Sequence, residues 1–115
     1  MQPQIQGSIY LKRLNMKSFS VENESIYNSS RVAIIVLTYN YFELTKSCLV
    51  ELAKISYANK KIILVDNGST IEGEIDNLKT LNKYFDEFVQ VPGKNIGFAG
   101  GMNFGMKYAY DNGGF

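Results

Sequence analysis

The spacing of apolar and polar positions changes character near residue 30. Over residues 1–30, Gln, Asn and Ser alternate with scattered apolar residues at no sustained period. That stretch reads as a flexible or loosely docked leader. From Arg31 the pattern sharpens into blocks. Val32-Ala33-Ile34-Ile35-Val36-Leu37 is apolar at every position, as in a parallel strand buried on both faces. It stops at Thr38-Tyr39-Asn40. Asn40 and Glu43 have the spacing of a capping box, with Asn40 as the cap. Leu44, Cys48, Leu52 and Ile55 then fall on one stripe of a helix that should end near Tyr57.

The unit then repeats in kind. Lys61-Ile62-Ile63-Leu64-Val65 is a second buried strand, ending at Asp66-Asn67-Gly68-Ser69, and Ile71, Ile75, Leu78 and Leu81 give a second helical stripe with Gly73 inside it. A third strand over about 87–91 closes at Pro92-Gly93. Beyond a glycine-rich stretch, Met102, Met106 and Tyr110 mark a third helix, stopped by Asn112-Gly113-Gly114. This alternation is the doubly wound α/β order with right-handed crossovers. The first of the three strands is expected in the middle, and ligands are expected at the strands' carboxyl ends.

Composition narrows the chemistry. The chain has 115 residues, 45% hydrophobic and 20% charged, which suits one globular domain. Its net charge of +1 argues against a nucleic-acid partner. It has no His and a single Cys, Cys48. His-based catalysis, His-ligated metals and an intrachain disulfide are therefore excluded, and a bound metal would need oxygen ligands. The longest strongly apolar run, Val32 to Leu37, is too short to span a bilayer. A cytoplasmic location is the default expectation. Ile9, Tyr10, Leu11, Leu14 and Phe19 beside Lys12, Arg13 and Lys17 would allow peripheral contact with the inner membrane face.

The candidate chemistry lies in the three loops at the strands' carboxyl ends. No G-x-G-x-x-G follows the first strand and no G-x-x-x-x-G-K-[ST] string occurs, so neither common phosphate loop is present. Asp66 before Asn-Gly-Ser reads as an Asx turn or as a ligand acceptor at a strand end. Asn67 offers both donor and acceptor. Gly97-Phe98-Ala99-Gly100-Gly101 reads as a tight loop or as backbone that approaches an anion beside a helix start. Cys48 reads as core, and Lys94 as a solvated loop lysine that could meet a phosphate.

Taken together, Val32 to Asn40, Ile63 to Ser69, and Asn95-Ile96-Gly97-Phe98-Ala99-Gly100-Gly101-Met102-Asn103-Phe104-Gly105 resemble the family-2 inverting glycosyltransferases of GT-A fold. The asparagine after the aspartate, with the Gly-Phe-Ala-Gly-Gly run, looks most like the rhamnosyltransferase and galactofuranosyltransferase side of that family. The resemblance covers residues 31–115 and implies a Rossmann-like half-domain: a parallel sheet flanked by helices, truncated before the metal-binding motif. It implies that Thr38, Tyr39 and Asn40 cradle the nucleobase and that Asp66 and Asn67 bind base and ribose. Gly97, Gly100 and Gly101 would pack under the ribose and diphosphate, with Asn103 as a brace.

The implied donor is a dTDP- or UDP-linked sugar, and the implied acceptor is a glycan or a lipid-linked molecule. Mg²⁺ or Mn²⁺ is expected for the complete enzyme. Family members carry an Asp-x-Asp-type metal motif on a following strand and a catalytic base beyond it, and no Asp-x-Asp string occurs in these residues. The chain by itself is therefore expected to be inactive in transfer and to self-associate through an uncovered part of its sheet. A non-catalytic nucleotide-binding or interaction module that reuses the half-fold is the alternative.

Overall fold

The structure, a computed structural model, describes residues 8–13 and 30–112. Three parallel strands, β2 (Val32–Thr38), β3 (Lys60–Asp66) and β4 (Glu87–Gln90), follow the blocks read from the sequence. Three helices accompany them: α1 (Phe42–Leu52), α2 (Glu74–Lys79) and α3 (Gly97–Asn112). The sheet is thus the α/β, Rossmann-like half-domain that the alternation predicts. A further strand, β1 (Ser8–Arg13), pairs antiparallel with β2, from Ser8 opposite Leu37 to Arg13 opposite Val32. The sequence reading assigned no strand there. Of the membrane-surface positions, Leu14, Lys17 and Phe19 lie outside the described residues, as do the helix-stopping Gly113 and Gly114.

The strand order is β1-β2-β3-β4, with β2 parallel to β3 and β3 parallel to β4. This corrects the expectation that the first parallel strand lies between the other two; β3 does. The reason is the side on which the helices cross. Leu49 and Leu52 of α1 and Leu78 of α2 share one cluster with Ile34, Val36, Ile62 and Leu64. Two successive right-handed crossovers on the same face step the strands in one direction. Only α3 changes face, packing Met102 and Ala109 on Ala33, Ile35, Leu37, Ile63 and Val65.

Both faces of β2 and β3 are therefore covered, which is why these strands are apolar without alternation. The helical stripes differ in detail from the sequence reading. In α1 the buried positions are Thr45, Leu49 and Leu52, while Leu44 and Ile55 are exposed. The stripe is shifted because Thr45 turns inward to share a 2.6 Å hydrogen bond with the Thr38 hydroxyl. Cys48 is half buried at the edge of that cluster, where burial pushes its thiol pKa up. α1 ends at Leu52, short of Tyr57.

Gly73 is not inside a helix. It is the left-handed cap of α2, with φ +83°, and Ile71 before it is 54% exposed. The glycine-rich run is not a loop but the opening turns of α3. Gly101 and Gly105 let the helix lie close to the sheet. A Cβ at Gly105 would sit 2.7 Å from Ile35 Cγ2 and 2.9 Å from Val65 Cγ2. Tyr110, expected on the core stripe, is 68% exposed.

Candidate functional site

The loops after β2, β3 and β4 meet at the carboxyl end of the sheet, joined by short polar side chains. Asp66 ends β3 and is 2% exposed. Its Oδ2 accepts the Ser69 N–H at 3.1 Å, and its Oδ1 accepts the Ser69 hydroxyl at 2.5 Å. The Asx-type turn foreseen as one reading of Asp66 is therefore present. A carboxylate has about four acceptor positions, so two hydrogen bonds leave it capacity for a ligand. Ser69 also carries the link onward, since its Oγ accepts the Asn40 N–H at 2.9 Å.

Asn40 is not the cap of α1. That position is Tyr41, which makes no side-chain cap bond. Asn40 has φ +53°, a left-handed backbone that asparagine tolerates better than most residues. Its amide serves the neighbouring loop instead. Oδ1 accepts the N–H groups of Thr70 and Ile71 at 2.8 and 3.0 Å, and Nδ2 donates to Thr70 Oγ1 at 2.9 Å. The capping-box reading fails because the residue turns across to the β3 loop one step before the helix begins.

Asn67 is equally committed. Its N–H donates to the Thr38 carbonyl at 2.8 Å. Its Oδ1 accepts the Ile96 N–H at 3.1 Å, and its Nδ2 donates to the Gly97 carbonyl at 3.0 Å. Thr38 directs its hydroxyl into the interior toward α1. Tyr39 is half buried in the turn between them, and Asn103 is exposed on α3. Gly97 begins α3 with φ +83°. Gly100 lies against the Ile96 side chain, and a Cβ on Gly101 would meet Leu37 Cδ1 at 2.7 Å. Lys94 is exposed.

The site residues read from sequence thus occupy one region, but they divide by role. Asp66 is buried but keeps unused acceptor positions, Tyr39 is half buried and the start of α3 is exposed, while the side chains of Thr38, Asn40 and Asn67 hold the frame.

Glycosyl transferase family 2 is the family whose model matches this sequence, over residues 33–112. The chain belongs to glycosyl transferase family 2. The matched region takes in β2 through α3 and all three loops of this glycosyltransferase domain. Searches of curated proteins and of solved structures gave no match.

Three contributors escaped the sequence reading. Ser69 bridges two loops, and its position three residues after Asp66 is the available signal. Asn95 accepts the Gly97 N–H at 2.7 Å, an i to i+2 Asx pattern that was equally legible. Glu74, the first residue of α2, is buried, and its Oε2 has no hydrogen-bond partner. Burial pushes its carboxyl pKa up, the nearby Asp66 carboxylate adds to this, and a hydrogen bond from the Tyr41 N–H opposes it. No sequence pattern marks it.

The divalent cation expected of the complete enzyme finds no ligand set here. Among the described residues, no three acidic or cysteine side chains gather as a metal group would require. No step is assigned to a metal in this region. Among the described residues, no helix is long and apolar enough to cross a membrane.

Proposed function

We propose that this glycosyltransferase domain binds the nucleoside diphosphate of a sugar donor at the carboxyl end of its sheet. The observation that carries the reading is the convergence of three loops around Asp66, a buried carboxylate with acceptor capacity left. In this reading Asp66 accepts from the ribose or the base, and the Tyr39 ring lies against the base. The diphosphate faces the amino end of α3, where backbone N–H groups favour an anion. The resemblance of the Asp66-Asn67 turn and the Gly97 to Gly101 run to the rhamnosyltransferase side of the family supports a dTDP- or UDP-linked sugar, and rhamnose is the first sugar to assay. The acceptor is a glycan or a lipid-linked molecule in polysaccharide synthesis.

The reaction class sets what else is required. Inverting transfer needs a carboxylate to take the acceptor's proton and positive charge to offset the leaving diphosphate. The residues at this site serve donor binding, and neither of those roles is assigned to them. Binding of the free nucleotide should accordingly depend little on added Mg²⁺ or Mn²⁺.

Titration of the 115-residue chain with UDP and with dTDP, followed by backbone amide shifts, tests the reading. Shifts at Tyr39 to Tyr41, Asp66 to Thr70 and Gly97 to Gly101 are expected. Asp66→Ala should weaken binding about tenfold or more, since a hydrogen bond to a charged group contributes roughly 1.5–3 kcal/mol. Absence of shifts in all three loops at millimolar nucleotide would sink the proposal.

A further inference from the structure

We propose that Asn67 is a positioning residue whose amide locks the Asn95-Ile96-Gly97 turn, and with it the amino end of α3, onto the end of β3. This rests on the reading above of where the donor sits, and it moves Asn67 from the ligand contacts to the frame that holds them.

The first observation is engagement. Asn67 is 2% exposed. Its acceptor takes the Ile96 N–H at 3.1 Å, and its two donor hydrogens serve the Gly97 carbonyl at 3.0 Å and Asn95 Oδ1 at 3.3 Å. A carboxamide has one carbonyl oxygen and two N–H hydrogens to offer, so each of these groups already has a partner in the protein.

The second is confinement. A Cβ on Gly101 would lie 2.9 Å from Asn67 Nδ2. The backbone of α3 thus comes down directly on the amide, and any side chain at position 101 would displace it. The third is continuity: the Asn67 N–H bonds the Thr38 carbonyl at 2.8 Å, so one residue ties the β4–α3 turn to the end of β2.

The two roles make opposite chemical demands. A pyrimidine N–H is accepted by a carboxylate at least as well as by an amide oxygen. The lock requires the amide. A carboxylate at this position keeps the Ile96 N–H bond but aims an acceptor at two other acceptors, the Gly97 carbonyl and Asn95 Oδ1.

The experiment is amide hydrogen exchange on the nucleotide-free 115-residue chain. It compares wild type with Asn67→Asp and Asn67→Ala and reads the Ile96 and Gly97 amides against Ile35 and Ile63 in the strands. Asn67→Asp should lower protection at Gly97 tenfold or more, and Asn67→Ala should do so at both Ile96 and Gly97, with the strand amides unchanged. In wild type, the Asn67 side-chain NH₂ should be protected before nucleotide is added. Wild-type protection at both turn amides in Asn67→Asp would overturn the proposal. So would a wild-type side-chain NH₂ that exchanges freely until UDP or dTDP is added, a measurement that needs no variant to fold. Both readouts are decided on the nucleotide-free chain, so failure of the donor-binding proposal leaves this one standing, and the reverse also holds.

Discussion

At the carboxyl end of the sheet, short polar side chains tie the loops by bonding to backbone groups; at the amino end, long side chains bring most of the polar contacts. The carboxyl end has Asn40, Asp66, Asn67, Ser69 and Asn95 in one linked set. It also holds every residue with positive φ among those described: Asn40, Gly68, Gly73, Gly93 and Gly97. At the amino end, Lys61 pairs with Glu87, which also accepts the Tyr108 hydroxyl. Lys60 Nζ reaches the carbonyls of Ile55 and Tyr57, and the Tyr57 hydroxyl reaches the Ser30 carbonyl. Backbone held in left-handed turns by short side-chain amides has few alternative arrangements, whereas a flexible lysine can find another partner. Left-handed backbone is concentrated where a ligand is expected, and ordinary stabilising contacts where none is. The carboxyl end also carries exposed apolar residues, Ile71, Ile96 and Phe98.

The comparison breaks most directly at Gly68. It has φ +79°, and a Cβ there would sit 2.6 Å from both Asn95 N and Lys94 C, backbone atoms that cannot swing aside. Gly68→Ala should therefore cost about 4 kcal/mol or prevent folding, since left-handed strain and a backbone clash add. Gly93→Ala isolates the first cost. Its φ is +78°, but its Cβ would meet nothing within 4 Å, so a loss of about 1–2 kcal/mol is expected. Urea denaturation of the two variants measures the difference. Equal losses would mean that the close approach of the two loops does not matter.

A smaller effect is expected at Gly105, midway along α3. Ala in place of Gly gains about 1 kcal/mol of helix propensity. Its Cβ would press on Ile35 and Val65 at 2.7 and 2.9 Å, and overpacking of a core costs about 1–3 kcal/mol. A net loss of about 1 kcal/mol should appear as a lower urea midpoint. A gain would show that α3 can rise from the sheet without penalty.

These glycines also explain which parts of the molecule were legible in the sequence. β2 and β3 were, because burial on both faces leaves an unbroken apolar run; β4, Glu-Phe-Val-Gln and only partly buried, was legible from Phe88-Val89 closed by Pro92-Gly93. The amino end of α3 was not. Gly97, Gly100 and Gly101 read as loop by propensity, and the close contact with Leu37 and Asn67 that selects glycine at 101 is tertiary. The stripe of α1 was misplaced by one position because Thr45 is buried through its hydroxyl partner Thr38. Strand order followed from which face each helix covers, and local pattern does not encode that. β1 depends on the free edge of β2 rather than on its own periodicity. At the site, the position of Asp66 was legible as a strand end. The roles of Asn40 and Asn67 were not, since their partners lie about thirty residues away in sequence.

The finest test of the contrast sets two glutamates against each other, one from each end. Glu87 at the amino end has its pKa lowered, first by the hydrogen bond from Lys61 and then by that from Tyr108. A lowered carboxyl pKa contributes stability that is present above the unfolded value and lost as pH falls through the folded one. Glu74 at the carboxyl end has its pKa raised, first by burial and then by Asp66. Its contribution has the opposite sign: it is fully present below the unfolded value and lost as pH rises through the folded one. Glu87→Gln should thus destabilise at pH 7 by about 1 kcal/mol, a modest figure for a partly exposed ion pair, and the loss should shrink below pH 4. Glu74→Gln keeps an oxygen for the Tyr41 N–H while removing a desolvated charge. It should stabilise slightly at pH 7, and that gain should vanish as pH falls. Urea midpoints of both variants and wild type between pH 3 and 8 give the comparison directly. If the two differences change with pH in the same direction, the buried carboxyl beside Asp66 is not destabilised as its surroundings imply. Opposite slopes would show that the ligand end tolerates an uncompensated charge that the amino end neutralises.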